Sequence, residues 1–393
     1  MGTSCFNFPL ILFGGFLFRR YGMKIGIVGG GWYGCHLGLV FKRCGCEVDV
    51  YEAEADVLQL ASINNQARLH IGYHYPRCSV TRLQTVACFP RFMEAYPTFS
   101  KPIENNIYTV SKKDSLVDFR TYCQIMEASG LQFDYVNPAD FGIAGVDGAI
   151  STQERLLDFD EARRTFKEKL GRSLHLNSRV TSVVDGPDGA QINGETYDTV
   201  INCTWCALKT GPQPENMFFE PTVLLYYEAL QPFYGALTVM DGPCFSIYPY
   251  DEDRYSLSHV SFTARGQYKT FAEAQAFNDQ VTEADLDVVR CNMTEKALKE
   301  FPAFKECFRY LGPQFSVKTK YSNACASRDT AVKKQGHVFS VFSGKIDTIF
   351  IAEDSILEQL GFKSETSKIA LFPDLDMENE ESELERRLQR AVG

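Results

Sequence analysis

Residues 24–52, KIGIVGGGWYGCHLGLVFKRCGCEVDVYE, constrain the fold more than any other stretch of the chain. Ile25, Ile27 and Val28 form a short apolar run of β type. Tyr33, Leu37, Val40, Phe41 and Cys44 then recur at helical spacing, and CEVDVYE returns to alternation. Between the first two patterns, Gly29, Gly31 and Gly34 spell G-x-G-x-x-G. The first glycine permits a tight turn, the second lets backbone N–H groups approach a pyrophosphate, and the third lets helix and strand pack closely. The phosphates would then sit at the positive end of the helix dipole. Glu52 follows Gly29 by 23 positions, where a carboxylate can accept both hydroxyls of an adenosine ribose. An acid there disfavours a 2′-phosphate and so disfavours NADP. The choice between NAD and FAD rests on the remainder of the chain.

A length of 393 residues suits about two domains. With 45% hydrophobic and 23% charged residues the composition is that of a soluble globular protein. A net charge of −10 without a basic cluster argues against nucleic acid as a partner. The 30 Phe and 19 Tyr suit a pocket around a flat heterocycle, although large cores use the same residues. The 13 cysteines lack a disulfide-like spacing. Cys203 and Cys206 form a C-x-x-C within VINCTWCAL, but no second pair completes a zinc site, so no metal is expected. Buried free thiols in a reducing cytoplasm are the simplest reading. The apolar run FNFPLILFGGFLF is short for a membrane span, and Arg19 and Arg20 follow it rather than precede it. Residues 1–22 are therefore read as a leader outside the core, and residues 366–393 as a charged tail.

Further along, SVTRLQTVACFPRFMEAYP is helix-like, a strand begins at Ile107, and DSLVDFRTYCQIMEASG reads as a helix capped by Asp114. LDFDEARRTFKEKLGR is an amphipathic helix from Leu157. A meander over Arg179–Ile192 precedes the apolar strand Thr199–Cys203. Aromatic strands follow residue 216, a helical block covers Phe271–Leu311, and VFSGKIDT leads into a helix starting near Asp347.

Three of these segments, the glycine turn with Glu52, the meander followed by VINCTW, and VFSGKIDT, resemble in kind and order those of FAD-dependent oxidoreductases of the D-amino-acid oxidase and glycine oxidase type. The resemblance covers most of Lys24–Leu360. It implies an α/β flavoprotein, with a Rossmann-like FAD-binding domain and an α+β, sheet-rich substrate domain. The former would be discontinuous, over residues 23–80, 151–215 and 321–365, and the latter would take 81–150 and 216–320. Carried over residue by residue, Gly29, Gly31 and Gly34 would face the pyrophosphate and Glu52 the ribose. Ser62, Asn65, Gln66 and Arg68 would form a second phosphate loop, since hydroxyl, amide and guanidinium groups donate to anionic oxygens. Val180, as first residue of the strand VTSVV, would hold the adenine through its backbone. Cys203 and Thr204 stand where the family has a small-residue-and-glycine turn beneath the cofactor, which is a departure from its pattern. Gly344, Lys345 and Ile346 would follow the pyrimidine edge of the isoalloxazine, where a cation stabilises the charge developing on reduction.

RLHIGYHYPR brings Arg68, His70, Tyr73, His74, Tyr75 and Arg77 together, and no carboxylate there makes a metal pattern. His70 and Tyr73 are catalytic candidates in this loop. Tyr248 and His259 are candidates on strands expected to roof the flavin, with Tyr255, Leu257 and His259 sharing one face by alternation. Arg328 is a candidate carboxylate clamp. The expected activity is oxidation of a C–N bond of an amine or amino acid by hydride transfer to flavin, with oxygen or another acceptor taking the electrons. The rival readings are a flavin monooxygenase, a non-redox flavin enzyme of sugar-mutase type, and a non-catalytic flavin-binding protein.

Overall fold

The computed structural model describes residues 22–210, 217–230, 235–321 and 329–362, so the leader up to residue 21 and the charged tail lie outside the described residues. Its first sheet has six strands in the order 331–335, 338–342, 199–202, 24–28, 47–51, 174–175. All pairings are parallel except the edge hairpin Ala331–Gln335 with Val338–Phe342. Lys24–Val28 lies at the centre, and the chain winds first to one side and later to the other. The carboxyl ends of Lys24–Val28 and Thr199–Asn202 therefore form a switch point, where an open α/β sheet leaves a crevice for ligands. Gly29 and Cys203 are the residues that leave those two strands. The sheet is covered by the helices Trp32–Arg43, Phe159–Leu170 and Ile349–Gln359, whose apolar faces share one core with it. A three-stranded meander, Val183–Gly186, Gly189–Ile192 and Glu195–Tyr197, packs beside it. It starts later than the sequence pattern suggests, and Val180 precedes its first strand.

The second sheet has eight strands in the order 308–321, 217–229, 254–259, 245–249, 236–240, 106–111, 146–151, 134–136. It is antiparallel apart from the pairing of Ala236–Met240 with Asn106–Ser111. One face carries Val223, Leu225, Ile247, Tyr255 and Leu257, which pack with Leu286, Val289, Met293 and Ala297 of the helix Glu283–Glu300. The opposite face carries Tyr226, Ser246, Tyr248, Ser256 and Ser258 and looks toward the glycine turn. Phe308 opens a strand rather than ending the helical block, because its register with Ala229 continues the long pairing of 217–229 with 308–321. The helix Phe119–Ala128 is capped by Asp118, whose side chain accepts from Thr121 N at 2.8 Å, so the cap falls four residues after Asp114. Among the described residues no helix is long and apolar enough to cross a membrane.

Candidate functional site

The turn at the switch point is built by close approach. Gly29 has φ +102° and lies against the backbone of Cys203, and its N–H donates to Tyr51 O at 2.8 Å. Gly31 caps the helix Trp32–Arg43 without a side-chain hydrogen bond, and no acid occupies the first turn. Among the described residues Trp32 N meets Ser62 Oγ, at 3.4 Å. The N–H groups of this helix end therefore suit an anion. Glu52, buried behind the turn, accepts from Gly30 N at 2.7 Å and Glu54 N at 2.9 Å. Burial raises its pKa, and those two backbone donors oppose the rise. A dinucleotide pyrophosphate fits this cradle: the third glycine leaves no room for a side chain against Gly29 O, and among the described residues the helix N-cap has no side-chain cap.

From the turn, one cleft of about 1410 Å³, including its open mouth, runs beneath the second sheet. Gly31, Trp32 and Ser62 line it. Arg68, His70, His74, Tyr75 and the segment Ser343–Ile346 also line it. Its charged lining groups are Arg68, Lys318, Lys320 and Lys345, and no carboxylate lines it among the described residues. That wall is cationic in a chain of net charge −10.

Arg68 is held through both terminal nitrogens, while its buried Nε has no partner among the described residues. Its Nη1 donates to Tyr108 Oη at 2.7 Å, its Nη2 donates to Ser246 Oγ at 2.6 Å, and the guanidinium lies 3.9 Å over the ring of Tyr248. Burial holds the His74 imidazole well below its ordinary pKa, and the neighbouring Arg68 charge adds to this. Lys345 is buried with its Nζ 4.2 Å over the Tyr75 ring. Burial lowers its pKa and raises that of the adjacent buried Asp347, while each charge partly supports the other.

Several expected site residues are placed differently from the sequence reading. Asn65 spends its amide on Ala61 O and Ser62 O and accepts from Ala67 N, so it shapes its own loop. Gln66 donates to Ser246 O and Ser256 O and accepts from Ser258 Oγ. The Gln66 amide and the Arg68 guanidinium tie the loop to the roof, and Ser62, Asn65, Gln66 and Arg68 all line the cleft. Tyr73 is buried in a separate aromatic cluster, with its hydroxyl on Gln132 O. Tyr248 lies one layer behind the cleft under Arg68, its hydroxyl on Arg155 O at 3.3 Å. His259 sits on the helix-covered side of the roof, where Nδ1 accepts from Ser261 N at 3.1 Å and the ring packs on Phe262 at 4.7 Å. Alternation was right about Tyr255, Leu257 and His259 sharing a face, but that face points into the core. Val180 is buried with Val28, Ala190 and Tyr197. Cys203 lines the cleft, whereas Thr204 bonds back to Asn202 Oδ1 through both N and Oγ1. Trp205 and Cys206 follow with φ of 53° and 69°, a left-handed pair at the place where glycine is the usual solution. Gly344, Lys345 and Ile346 line the cleft, and Arg328 lies outside the described residues.

The sequence reading missed Tyr108 and Ser246, on strands remote in sequence, Trp205, on the turn after Cys203 where it lines the cleft, and Glu154, just before the strand Arg155–Leu157.

No family model matches the chain. It is 42% identical over 345 residues to the FAD-dependent monooxygenase FPY4 of Fusarium mangiferae, covering 87% of this chain and 92% of that protein. It is 29% identical over 370 residues to the FAD-dependent monooxygenase kojA of Aspergillus flavus, covering 85% of each. Among solved structures, glycine oxidase from Geobacillus kaustophilus matches with a TM-score of 0.67 at 13% identity, over 90% of this chain and 100% of that one. The amino acid oxidase NikD matches with a TM-score of 0.64 at 12% identity, over 88% and 97%. The fold is thus that of the D-amino-acid oxidase and glycine oxidase type.

Proposed function

The chain belongs to the family of FAD-dependent oxidoreductases that includes FPY4, and from that premise we propose that it oxidises a small acid at a carbon bearing an amino or hydroxyl group, by hydride transfer to FAD. One observation carries this reading: the glycine turn and the Arg68–His70–His74–Lys345 wall line the same cleft. The glycines Gly29, Gly31 and Gly34 and the helix end would hold the pyrophosphate, with Ser62 beside them and Glu52 at the ribose. Val180 would meet the adenine through its backbone, and Cys203 and Thr204 would form the turn beneath the cofactor. Gly344, Lys345 and Ile346 would border the heterocycle.

When bound, FAD supplies the two-electron acceptor. The protein's own part is positioning and charge. Arg68, fixed by Tyr108, Ser246 and the Tyr248 ring, would clamp the substrate carboxylate rather than a phosphate. His70 would take the proton from the substrate's amino or hydroxyl group. Lys345 would stabilise negative charge developing at the flavin edge. A simple amine suits the cleft less well than an amino or hydroxy acid, because the charged lining groups among the described residues are cations that complement a substrate carboxylate. Oxygen or another acceptor would take the electrons. A cytoplasmic setting agrees with the free cysteines among the described residues.

The test is anaerobic mixing of the purified protein with amino acids, hydroxy acids and simple amines. The flavin band near about 450 nm should bleach with members of the first two groups. An unbleached band across the whole panel would sink the proposal. A second reading, monooxygenation, is favoured by the name of the relative at 42% identity. Isotopically labelled dioxygen separates the two, since only a monooxygenase places label in the product.

A further inference from the structure

The short antiparallel pair Arg68–Leu69 with Arg155–Leu157 has the register Arg68↔Leu156 and Leu69↔Arg155. Carried one residue further, it sets Glu154 opposite His70. Glu154 is 1% exposed. Its Oε1 accepts from Ile71 N at 3.0 Å and lies 3.2 Å from His70 Nδ1. Its Oε2 accepts the Tyr108 hydroxyl, whose oxygen in turn receives Arg68 Nη1. A backbone N–H can only donate, so Oε1 is an acceptor and His70 Nδ1 must carry the proton toward it. The neutral His70 ring then has its lone pair on Nε2.

His74 is set the other way. Its Nδ1 lies 3.4 Å from Arg68 Nη1, and a guanidinium only donates. Nδ1 is therefore the acceptor in His74, and the proton resides on Nε2. The two rings are 5.3 Å apart and both line the cleft.

We propose that Glu154 is a positioning residue of the cleft: it holds His70 in the tautomer opposite to that of His74, so that the pair offers one acceptor and one donor nitrogen to a single substrate hydroxyl or neutral amino group. The substrate half of this statement rests on the oxidase reading above, while the tautomer half does not. A hydroxyl suits such a pair because it donates one hydrogen bond and accepts another. With both rings in the same tautomer, one of the two would oppose it.

Proton NMR of the FAD-loaded protein tests the inference. A charge-assisted bond from an imidazole N–H to a buried carboxylate should give a slowly exchanging low-field resonance. His70→Asn should remove that resonance and so assign it. Glu154→Gln should abolish it or move it upfield, while the resonance from His36, 3.0 Å from buried Glu353, stays in place as an internal reference. Glu154→Gln should also lower kcat/KM for the substrate found by anaerobic screening by roughly tenfold or more, with FAD content unchanged. A wild-type spectrum without a His70 resonance, or one left in place by Glu154→Gln, would overturn the proposal. Should Glu154→Gln not fold, the wild-type resonance and its loss in His70→Asn decide alone. If no substrate reduces the flavin yet the resonances behave as described, the oxidase reading fails and the positioning by Glu154 stands.

Discussion

Adding one methyl group at Gly34 should empty the protein of FAD. A Cβ built at Gly34 would lie 1.8 Å from Gly29 O, a backbone atom that cannot rotate away. Ordinary contact begins at 3.4 Å, so the first helical turn and the strand end must separate by about 1.6 Å. Alanine returns about 1 kcal/mol of helix propensity. Forcing apart well-packed backbone costs about 3 kcal/mol or more, so the net effect is a loss of about 2 kcal/mol. The same displacement moves the helix-end N–H groups off the pyrophosphate, and a misplacement of this size weakens a preorganised site by roughly a hundredfold. Gly31→Ala provides the contrast, because its Cβ meets only Ser62 Oγ, at 2.8 Å, and that side chain can turn away. Gly38→Ala lies between, meeting Leu170 Cδ2 and Val50 Cγ2 at 2.9 Å. Flavin content per chain, FAD titration of the apoprotein and thermal melting should rank the damage as Gly34, then Gly38, then Gly31. A Gly34→Ala protein that binds FAD as tightly as wild type would refute the cradle.

Other consequences are open to measurement. Lys345→Met should make the flavin harder to reduce, with the two-electron potential falling by about 30 mV or more, equivalent to about 1.4 kcal/mol; an unchanged potential in spectroelectrochemistry would remove Lys345 from the flavin edge. Glu353 is buried among His36 at 3.0 Å, Arg91 at 3.6 Å and Arg43 at 4.0 Å. Burial works against its ionisation, but the His36 hydrogen bond and these charges hold its pKa below the ordinary carboxylate value. Its stabilisation is present above that ordinary value and is lost as pH falls through the lower folded value, and Glu353→Ala should cost about 3–5 kcal/mol in denaturant unfolding at neutral pH. Burial, with help from Lys296, depresses His259 from 6.5 to about 4. Stability from keeping it neutral is complete above pH 6.5 and drains away as pH falls toward about 4, so His259→Asn should flatten the acid limb of unfolding and leave flavin reduction by substrate unchanged. Loss of flavin reduction in that variant would return His259 to the site.

The glycine turn and Glu52 were legible because their chemistry depends on local spacing: a strand, a turn and a helix start within one short segment. The histidine loop was legible as an unusually dense run of titratable groups, and its Arg68, His70, His74 and Tyr75 line the cleft. Its wiring was not. Arg68 reads as one more phosphate donor until Tyr108, Ser246 and Tyr248 arrive from strands remote in sequence and claim its guanidinium. Glu154 in STQER looks like a solvent carboxylate, and only the pairing of Arg68–Leu69 with Arg155–Leu157 brings it to His70. Alternation correctly grouped Tyr255, Leu257 and His259, but period alone does not say which face of a sheet is roofed by helices and which by the cleft. The cap at Asp118 shows the same limit on a smaller scale, since Asp114 and Asp118 both precede the helical run and only the bond to Thr121 N chooses between them.

In the proposed function one cleft is divided between a cofactor part at the glycine turn and a substrate part at Arg68. Arg68→Lys tests it most directly, by flavin content and anaerobic bleaching measured on the same sample. The variant should keep FAD at the wild-type level while its bleaching by an amino or hydroxy acid demands far more substrate, because a lysine cannot grip a carboxylate with two parallel donors. A variant that loses FAD, or one that bleaches at the wild-type substrate concentration, would contradict that division.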